Sequence, residues 1–313
     1  MRISEQCRAS EGDWQTQFQQ AQPFRHVIID QFLESDACDR LVREFPAFNR
    51  KHAVNETGLV GRKSAIPDIA KLSAAFRDFD ALMKSPELLE WVGKLTAIDG
   101  LLYDPKYVGG GTHENLDGQD LDLHVDFNFH PATSWHRRLN LIVFLNPEWE
   151  AEWGGCLELH KDPWDPPHDE SVSVVPLLNR AVIFETTEVS WHGFRRICLP
   201  EDRKDLSRKS LAVYFYTKSR PAEETAAPHA TVYVPQGLPG QIEAGYTLTP
   251  EDVHELQVTI ERRNAQMRFL YERELEFSRA ITDLRDSLSF RVGRVVTGPL
   301  RWVRDRLSKE DQT

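Results

Sequence analysis

The chain has 313 residues, and its 49 acidic against 38 basic side chains give a formal net charge of −11. This acidic balance argues against a general nucleic-acid binder, because affinity for phosphate comes from clustered Lys and Arg on a basic surface. The four cysteines show no CxxC pair, so neither a disulfide framework nor a zinc knuckle is indicated. No window approaches the roughly 18 apolar residues of a membrane span, and residues 1–22 contain no apolar signal region. A cytoplasmic protein is expected.

The first hundred residues predict a support layer. Residues 1–22 are expected to be an N-terminal tail, and residues 23–100 a strand-helix region. Within it, FRHVIIDQFL is apolar and β-branched, which predicts a strand, and the following ESDACDRLVREF has apolar residues at helical spacing. A broken amphipathic pattern over residues 51–95, interrupted at Pro86, predicts helices that support a sheet.

Residues 101–220 have a different sequence pattern from the preceding region, and this pattern predicts the core of the protein. Short alternating or β-branched runs such as LDLHVDFNF, RLNLIVFLN and SLAVYFYT are separated by Gly, Pro, Asn and Asp. Several short strands at such intervals predict a sandwich or barrel rather than βαβ units. The fold class is therefore a mainly β core with α-helices.

Residues 221–248 predict a linker and residues 249–313 a helical tail. Thr249, Pro250 and Asp252 have the types and order of a helix start. Apolar residues then recur in steps of 3, 4 or 7, interrupted by Arg263 and Glu274: Val253, Leu256, Ile260, Met267, Leu270, Phe277, Ile281, Leu284 and Leu288. One long helix is predicted, and either packing on its own domain or a coiled-coil homodimer fits the pattern equally well.

A basic amphipathic segment lies near the end of the sequence. Six basic residues between Arg291 and Lys309 alternate with apolar ones, against Asp305 as the acid. Such a segment in an acidic protein predicts peripheral contact with an anionic membrane or with a partner. A helix folded onto the body, or a mobile tail, fits the same pattern.

The run LDLHVDFNF carries a candidate metal site. Alternation along a strand puts His124 and Asp126 on the same face, where both can bind one cation. The spacing recurs at His160 and Asp162, but Asp162 is predicted to lie in a loop, so the first pair is the better candidate. A third ligand is expected from a distant strand, and His192, beside Gly193, has the required separation.

A candidate anion site follows. Arg208 and Ser210 alternate to the same face at the start of the strand RKSLAVYFYT, whereas Lys209 is expected to point to the opposite face. An arginine with a neighbouring hydroxyl forms a good fork for a carboxylate.

These motifs, in this order, resemble the Fe(II)/2-oxoglutarate-dependent dioxygenases, and within them the prolyl 4-hydroxylase-like branch. The likeness spans Tyr103 to Lys218, with the HVIIDQFL opening also typical of that branch. The matching motifs are His124 with Asp126, the strand from Arg137 that ends in Leu-Asn, Gly154 and Gly155 before a strand, His192, and Arg208 with Ser210.

The resemblance implies a double-stranded β-helix, also called a jelly roll or cupin-like fold. It also implies His124, Asp126 and His192 as the catalytic iron ligands, with Arg208 and Ser210 as binders of the far carboxylate of 2-oxoglutarate. The implied cofactors are Fe(II), 2-oxoglutarate and O₂, and ascorbate joins them as a cofactor to be tested. The implied reaction is hydroxylation of an unactivated C–H bond with release of succinate and CO₂. Related halogenases have a small residue at the position of Asp126, so the carboxylate favours hydroxylation.

Some features stay open. The branch often anchors its co-substrate with a Lys about ten residues after the distal His, whereas this chain has the insert RRICLPEDRKDL, which puts prolyl specificity in doubt. Tyr107 and Asn140 are further candidates for co-substrate binding. His130 and His136 are interpreted as surface histidines.

The substrate, a peptidyl proline or other side chain, a small metabolite or a saccharide precursor, is left open by the sequence. Two rival classes would use the same metal ligands. A cupin-like metal- or ligand-binding protein has no need for the Arg208 fork, and a zinc hydrolase lacks an evident general base beside the third ligand.

Overall fold

The computed structural model describes residues 1–49, 64–235 and 242–293, and the chain divides into two compact units, residues 1–237 and 238–313. The first unit contains two β-sheets with a helical layer, and the second contains one long helix. From position 294 onward, the predicted basic segment lies outside the residues that the structure describes. Among the residues described, no helix combines the length and the apolarity that crossing a bilayer requires.

The strands form two antiparallel sheets. The strands are β1 (His26–Ile29), β2 (Ser64–Ile66), β3 (Leu102–Tyr103), β4 (Gly111–Asn115), β5 (Leu121–Val125), β6 (His136–Phe144), β7 (Leu157–His160), β8 (Ser171–Val174), β9 (Ala181–Glu185), β10 (Trp191–Phe194), β11 (Arg208–Thr217) and β12 (Val232–Tyr233). A seven-stranded sheet has the order β1-β9-β6-β11-β4-β2, with β3 also paired to β11, and a five-stranded sheet has the order β12-β5-β10-β7-β8. The predicted jelly-roll fold is confirmed.

The helices of the first unit support the larger sheet. The helices are α1 (Glu5–Ala9), α2 (Glu11–Gln20), α3 (Ser35–Arg43), α4 (Ala74–Met83), α5 (Pro86–Thr96) and, in the second unit, α6 (Pro250–Asp286). Residues 1–22 form two packed helices rather than the predicted tail. The reason is that Ser4 caps α1 through Cys7 N–H, and that Cys7 and Phe18 are buried in the main core.

Strand β6 shows how the layers are built. Its residues alternate in direction, as expected for a strand. Leu139 and Leu141 pack in the core formed with the helices, whereas Ile142 and Phe144 pack in a second cluster, with residues of β7, β8 and β9. Burial of each such side chain stabilises the fold by about 1.5–3 kcal/mol. Residues of β6 that point to the second cluster are therefore available to a site between the sheets.

The smaller sheet brings the predicted ligand strands together. Strand β10 lies between β5 and β7, and its His192 is directly opposite His124 of β5. A Cβ atom added at Gly193 would lie 2.6 Å from the Leu121 carbonyl oxygen, so the close approach of these strands requires glycine there.

Candidate metal centre and co-substrate site

The two histidines of the site are held in one tautomer. His124 and His192 have ring centroids 4.3 Å apart and are both buried. The Nδ1 atom of His124 lies 2.9 Å from the Asp122 carbonyl oxygen, and that of His192 lies 3.0 Å from the Ser190 carbonyl oxygen. Because a carbonyl oxygen only accepts, the proton is assigned to Nδ1 in both rings, and Nε2 carries the lone pair that can bind a metal.

Asp126 completes the group just beyond the end of β5. Its Oδ1 lies 3.8 Å from His124 Nε2, and its Oδ2 lies 3.5 Å from His192 Nε2. One ligand atom from each of the three residues lies within 4.8 Å of the others. Three ligands around one ion at about 2.1 Å each would be about 3 Å or more apart. Two neutral imidazoles and a carboxylate on one side of an ion are typical of non-haem Fe(II) sites, so the residues present fit that metal.

A closed set of hydrogen bonds orients Asp126. Arg137, which is fully buried, places Nη2 2.9 Å from Asp126 Oδ2, and Asn140 Nδ2 donates to the same oxygen over 2.8 Å. Asn140 Oδ1 in turn accepts from Arg137 Nε and Nη2 over 3.1 and 2.8 Å. The Arg137 guanidinium also lies over the rings of Tyr214 and Phe127, at 3.5 and 4.6 Å from their centroids. Each of the three polar side chains is therefore fixed by the other two.

These contacts set the protonation of the ligands. Burial alone would raise the pKa of Asp126, but the positive charge of Arg137, with smaller contributions from His192, His124 and the Asn140 hydrogen bond, holds it well below its usual value. Burial, with the neighbouring His124, lowers the pKa of His192 to about 3. At neutral pH Asp126 is therefore ionised and His192 is neutral, which are the forms that bind metals.

Arg208 lies at the start of β11 as a buried cation. Its Nε donates to the Gly155 carbonyl oxygen over 2.6 Å, and its guanidinium lies over the rings of Phe194 and Phe144, at 4.3 and 5.0 Å. Burial lowers its pKa to about 10, so it stays charged at neutral pH. Over the described ranges of the chain, its side chain meets no carboxylate. Ser210, also buried, follows it on the same face of the strand.

Arg208 and the metal ligands share the interior between the sheets. The Arg208 guanidinium lies over Phe194, which is on the same strand, β10, as His192. His192 packs against Phe184, and Phe184 belongs with Phe144 to the second cluster. Lys209 points away, with Nζ 5.8 Å from the centroid of the Phe45 ring.

Other candidate residues have different surroundings. Asn140 lies in the site, but its amide contacts Asp126 and Arg137. Tyr107 is buried in the main core, where its hydroxyl donates to Asp80 of α4 over 3.3 Å. The interpretation of His130 as a surface residue is wrong, because its side chain is buried. Its Nδ1 accepts the backbone N–H groups of a tight loop, and its Nε2 lies 3.5 Å from Asp104.

Sequence reasoning missed the roles of Arg137 and Gly155. The strand pattern places Arg137 at the head of a strand but does not predict that its charge lies beside Asp126. The available signal was an arginine opening an otherwise apolar strand, which has to be neutralised once it is buried. The contact of the Gly155 carbonyl with Arg208 joins positions 53 residues apart and had no local signal.

Comparisons with known proteins agree with this site. Residues 111–216 match the family model of the 2OG-Fe(II) oxygenase superfamily. Mouse prolyl 3-hydroxylase OGFOD1 is 27% identical over 213 residues, which cover 63% of this chain and 33% of that protein. The chain thus spans about a third of the length of this curated relative.

Two solved structures are among those with a similar fold. A prolyl 4-hydroxylase from Phytophthora capsici has 18% identity and a TM-score of 0.49, with 98% of this chain and 94% of that chain covered. HygX from Streptomyces hygroscopicus, with nickel and 2-oxoglutarate bound, has 15% identity and a TM-score of 0.42, with 67% and 91% covered.

The segment matched by the family model contains the three candidate metal ligands and Arg208. The resemblance inferred from the motifs is confirmed: residues 111–216 are similar to the 2OG-Fe(II) oxygenase superfamily. More particularly, one protein to which this chain is similar is a prolyl 3-hydroxylase.

Proposed function

We propose that this protein is an Fe(II)- and 2-oxoglutarate-dependent dioxygenase that hydroxylates an unactivated C–H bond. The observation that carries the proposal is the buried guanidinium of Arg208, which meets no carboxylate in the described chain and lies in the same interior as the metal ligands. A buried cation is costly unless an anion neutralises it. The far carboxylate of 2-oxoglutarate supplies that anion.

Each part of the site has a task in this reaction. Bound Fe(II) supplies the oxidative chemistry that converts 2-oxoglutarate, O₂ and a substrate C–H bond into succinate, CO₂ and an alcohol. Arg208 and Ser210 bind the far carboxylate of the co-substrate. Arg137 and Asn140 keep Asp126 ionised and oriented, and the rings of Phe144 and Phe194 exclude water from the anion site.

The proposed substrate class is a peptidyl proline, with a small metabolite or saccharide precursor as the alternative. The proline proposal rests on the curated relative, which is a prolyl 3-hydroxylase. Because that relative modifies C3, the position of hydroxylation on the ring is left out of the proposal. A cupin-like binding protein would account for the three metal ligands but not for Arg208.

An anaerobic titration tests the metal and the co-substrate together. Adding Fe(II) and then 2-oxoglutarate to the apo-protein should produce the visible charge-transfer band of a chelated 2-oxo acid. Asp126→Ala should abolish metal binding, whereas Arg208→Ala should retain metal binding and lose affinity for 2-oxoglutarate. Lys209→Ala, the adjacent cation on the opposite face, is the matched control and should behave as wild type. Iron binding without the band would refute the oxygenase proposal.

Substrate class is tested by turnover. Release of succinate should rise when proline-containing peptides are added, and mass spectrometry should find one added oxygen on the proline. Reactions run with and without ascorbate show whether it sustains turnover. Stimulation by small metabolites or saccharides, with no peptide modified, would replace the prolyl proposal while retaining the dioxygenase.

A further inference from the structure

Helix α6 presents one apolar seam over most of its length. Its capping box between Thr249 and Asp252 fixes the start, and the helix runs 37 residues, about 55 Å at 1.5 Å per residue. The seam residues follow steps of three and four without a break, which is the a/d pattern of a coiled coil. Within α6 they are Val253, Leu256, Ile260, Arg263, Met267, Leu270, Glu274, Phe277, Ile281 and Leu284.

The apolar members of the seam are accessible. Ile260 is 57% exposed, Leu270 63% and Leu284 59%. An exposed apolar stripe of this length, interrupted at two charged positions, is uncommon on a soluble monomer and indicates an interaction surface. The pattern spans more than four heptads, which is enough for a stable coiled coil.

The two charged seam residues determine how a second copy of the helix can pack on the apolar stripe. Arg263 occupies a d position and Glu274 an a position, eleven residues later. In a parallel in-register pair, Arg263 would meet Arg263 of the partner copy and Glu274 would meet Glu274, so two like-charge contacts would lie in the interface. Like charges in that position destabilise the pair.

An antiparallel pair removes this conflict. With the two-fold axis between Arg268 and Phe269, Arg263 of one copy lies opposite Glu274 of the other. The symmetry produces this contact a second time with the two copies exchanged. Every other layer is then apolar against apolar, and the layers are Val253 with Leu284, Leu256 with Ile281, Ile260 with Phe277, and Met267 with Leu270. One two-fold axis therefore places opposite charges together at both charged positions and apolar side chains together at all the other layers.

The flanking positions do not favour another orientation. Within α6, the charged side chains at the e and g positions of this register are Asp252, Arg273 and Arg285. Flanking ion pairs usually choose orientation in coiled coils, but here the one acidic residue at these positions, Asp252, is bonded to Thr249 and Tyr246 at the helix start. The contact between Arg263 and Glu274 is therefore what sets the relative orientation of the two helices.

We propose that α6 forms an antiparallel coiled-coil homodimer in which Arg263 of each copy pairs with Glu274 of the other. This inference is independent of the proposed enzyme activity. The interface joins two copies of the chain through the second unit.

Sedimentation equilibrium of the full chain tests the proposal. Wild type should be a dimer. Arg263→Glu or Glu274→Arg alone should raise the dimer dissociation constant at least about a hundredfold, because each turns two attractive contacts into two repulsive ones. The double variant R263E/E274R should restore the dimer. The matched controls Arg279→Glu and Glu272→Arg reverse the same charges at outward f positions and should have no effect.

A parallel dimer predicts a different pattern. There, each single reversal leaves two like-charge contacts, as in wild type, so dissociation would hardly change and the proposal would fail. A wild-type chain that stays monomeric, or a double variant that stays dissociated, would also overturn it. Orientation is checked separately with a spin label at His254→Cys in a Cys198→Ser background. Antiparallel helices place the two labels about 40 Å apart, and parallel helices place them within about 20 Å.

Discussion

Arg137 and Asp126 form a buried ion pair in which the carboxylate is also a candidate metal ligand. Arg137 Nη2 lies 2.9 Å from Asp126 Oδ2, and the arginine side chain is 0% exposed. The pair means that the carboxylate is held ionised by the protein itself, before any metal binds. The chain thus builds a preformed anionic ligand where burial would otherwise favour the neutral acid.

Removing the arginine charge should destabilise the metal-free protein strongly. Arg137→Met leaves the Asp126 carboxylate buried without its counter-charge, and we expect a loss of about 3–5 kcal/mol in the free energy of unfolding. Asp126→Asn should relieve part of this loss, so the double variant should be less destabilised than the two single variants added together. Urea denaturation of the four proteins measures the coupling, and additive losses would show that the pair is energetically unimportant.

Asn140 should matter for metal affinity. Asn140→Ala removes the 2.8 Å hydrogen bond to Asp126 and the acceptor for Arg137, and outer contacts of this kind usually change metal affinity by about 10–100-fold. Asn179→Ala is the control, because Asn179 bonds the Leu33 backbone through both amide atoms and has no contact with the ligands. Calorimetric titration with Mn(II) should show weaker binding only in the first variant. Equal affinities in the two would contradict the orienting role.

Gly155 should be required for the position of Arg208. Gly155 has φ +68°, and an added Cβ would lie 3.2 Å from Arg208 Cδ and 3.0 Å from Ile197 Cγ1. Gly155→Ala should therefore weaken binding of 2-oxoglutarate as well as costing about 1–2 kcal/mol of backbone strain. Gly118→Ala has the same left-handed backbone, φ +77°, with open space around the Cβ, and should show the strain alone. Thermal unfolding and co-substrate titration separate the two effects.

Local periodicity predicted which residues share a face, but not which distant strand they meet. Alternation placed His124 with Asp126, and Arg208 with Ser210, because a strand repeats every two residues. The pairing of β1 with β9 joins residues more than 150 positions apart and left no local pattern. His130 was misplaced for a similar reason: the loop after β5 folds back and buries it beside Asp104.

His160 repeats the ligand spacing outside the site and has a structural role. Its Nδ1 lies 2.5 Å from Asp169 Oδ2 and its Nε2 3.3 Å from Glu158 Oε2, while Arg195 pairs with Glu158 from the adjacent strand. Burial would lower the pKa of His160, but the hydrogen bonds to the two carboxylates raise it above its ordinary value. A raised folded-state pKa stabilises the fold fully below about pH 6.5, and this contribution disappears as the pH rises through the folded-state value. His160→Gln should therefore lose more stability at pH 6 than at pH 9, measured by urea denaturation. His168→Gln, which removes an exposed pair with Asp165, should change stability little at either pH, and an equal loss for His160→Gln at both would contradict the charged pairing.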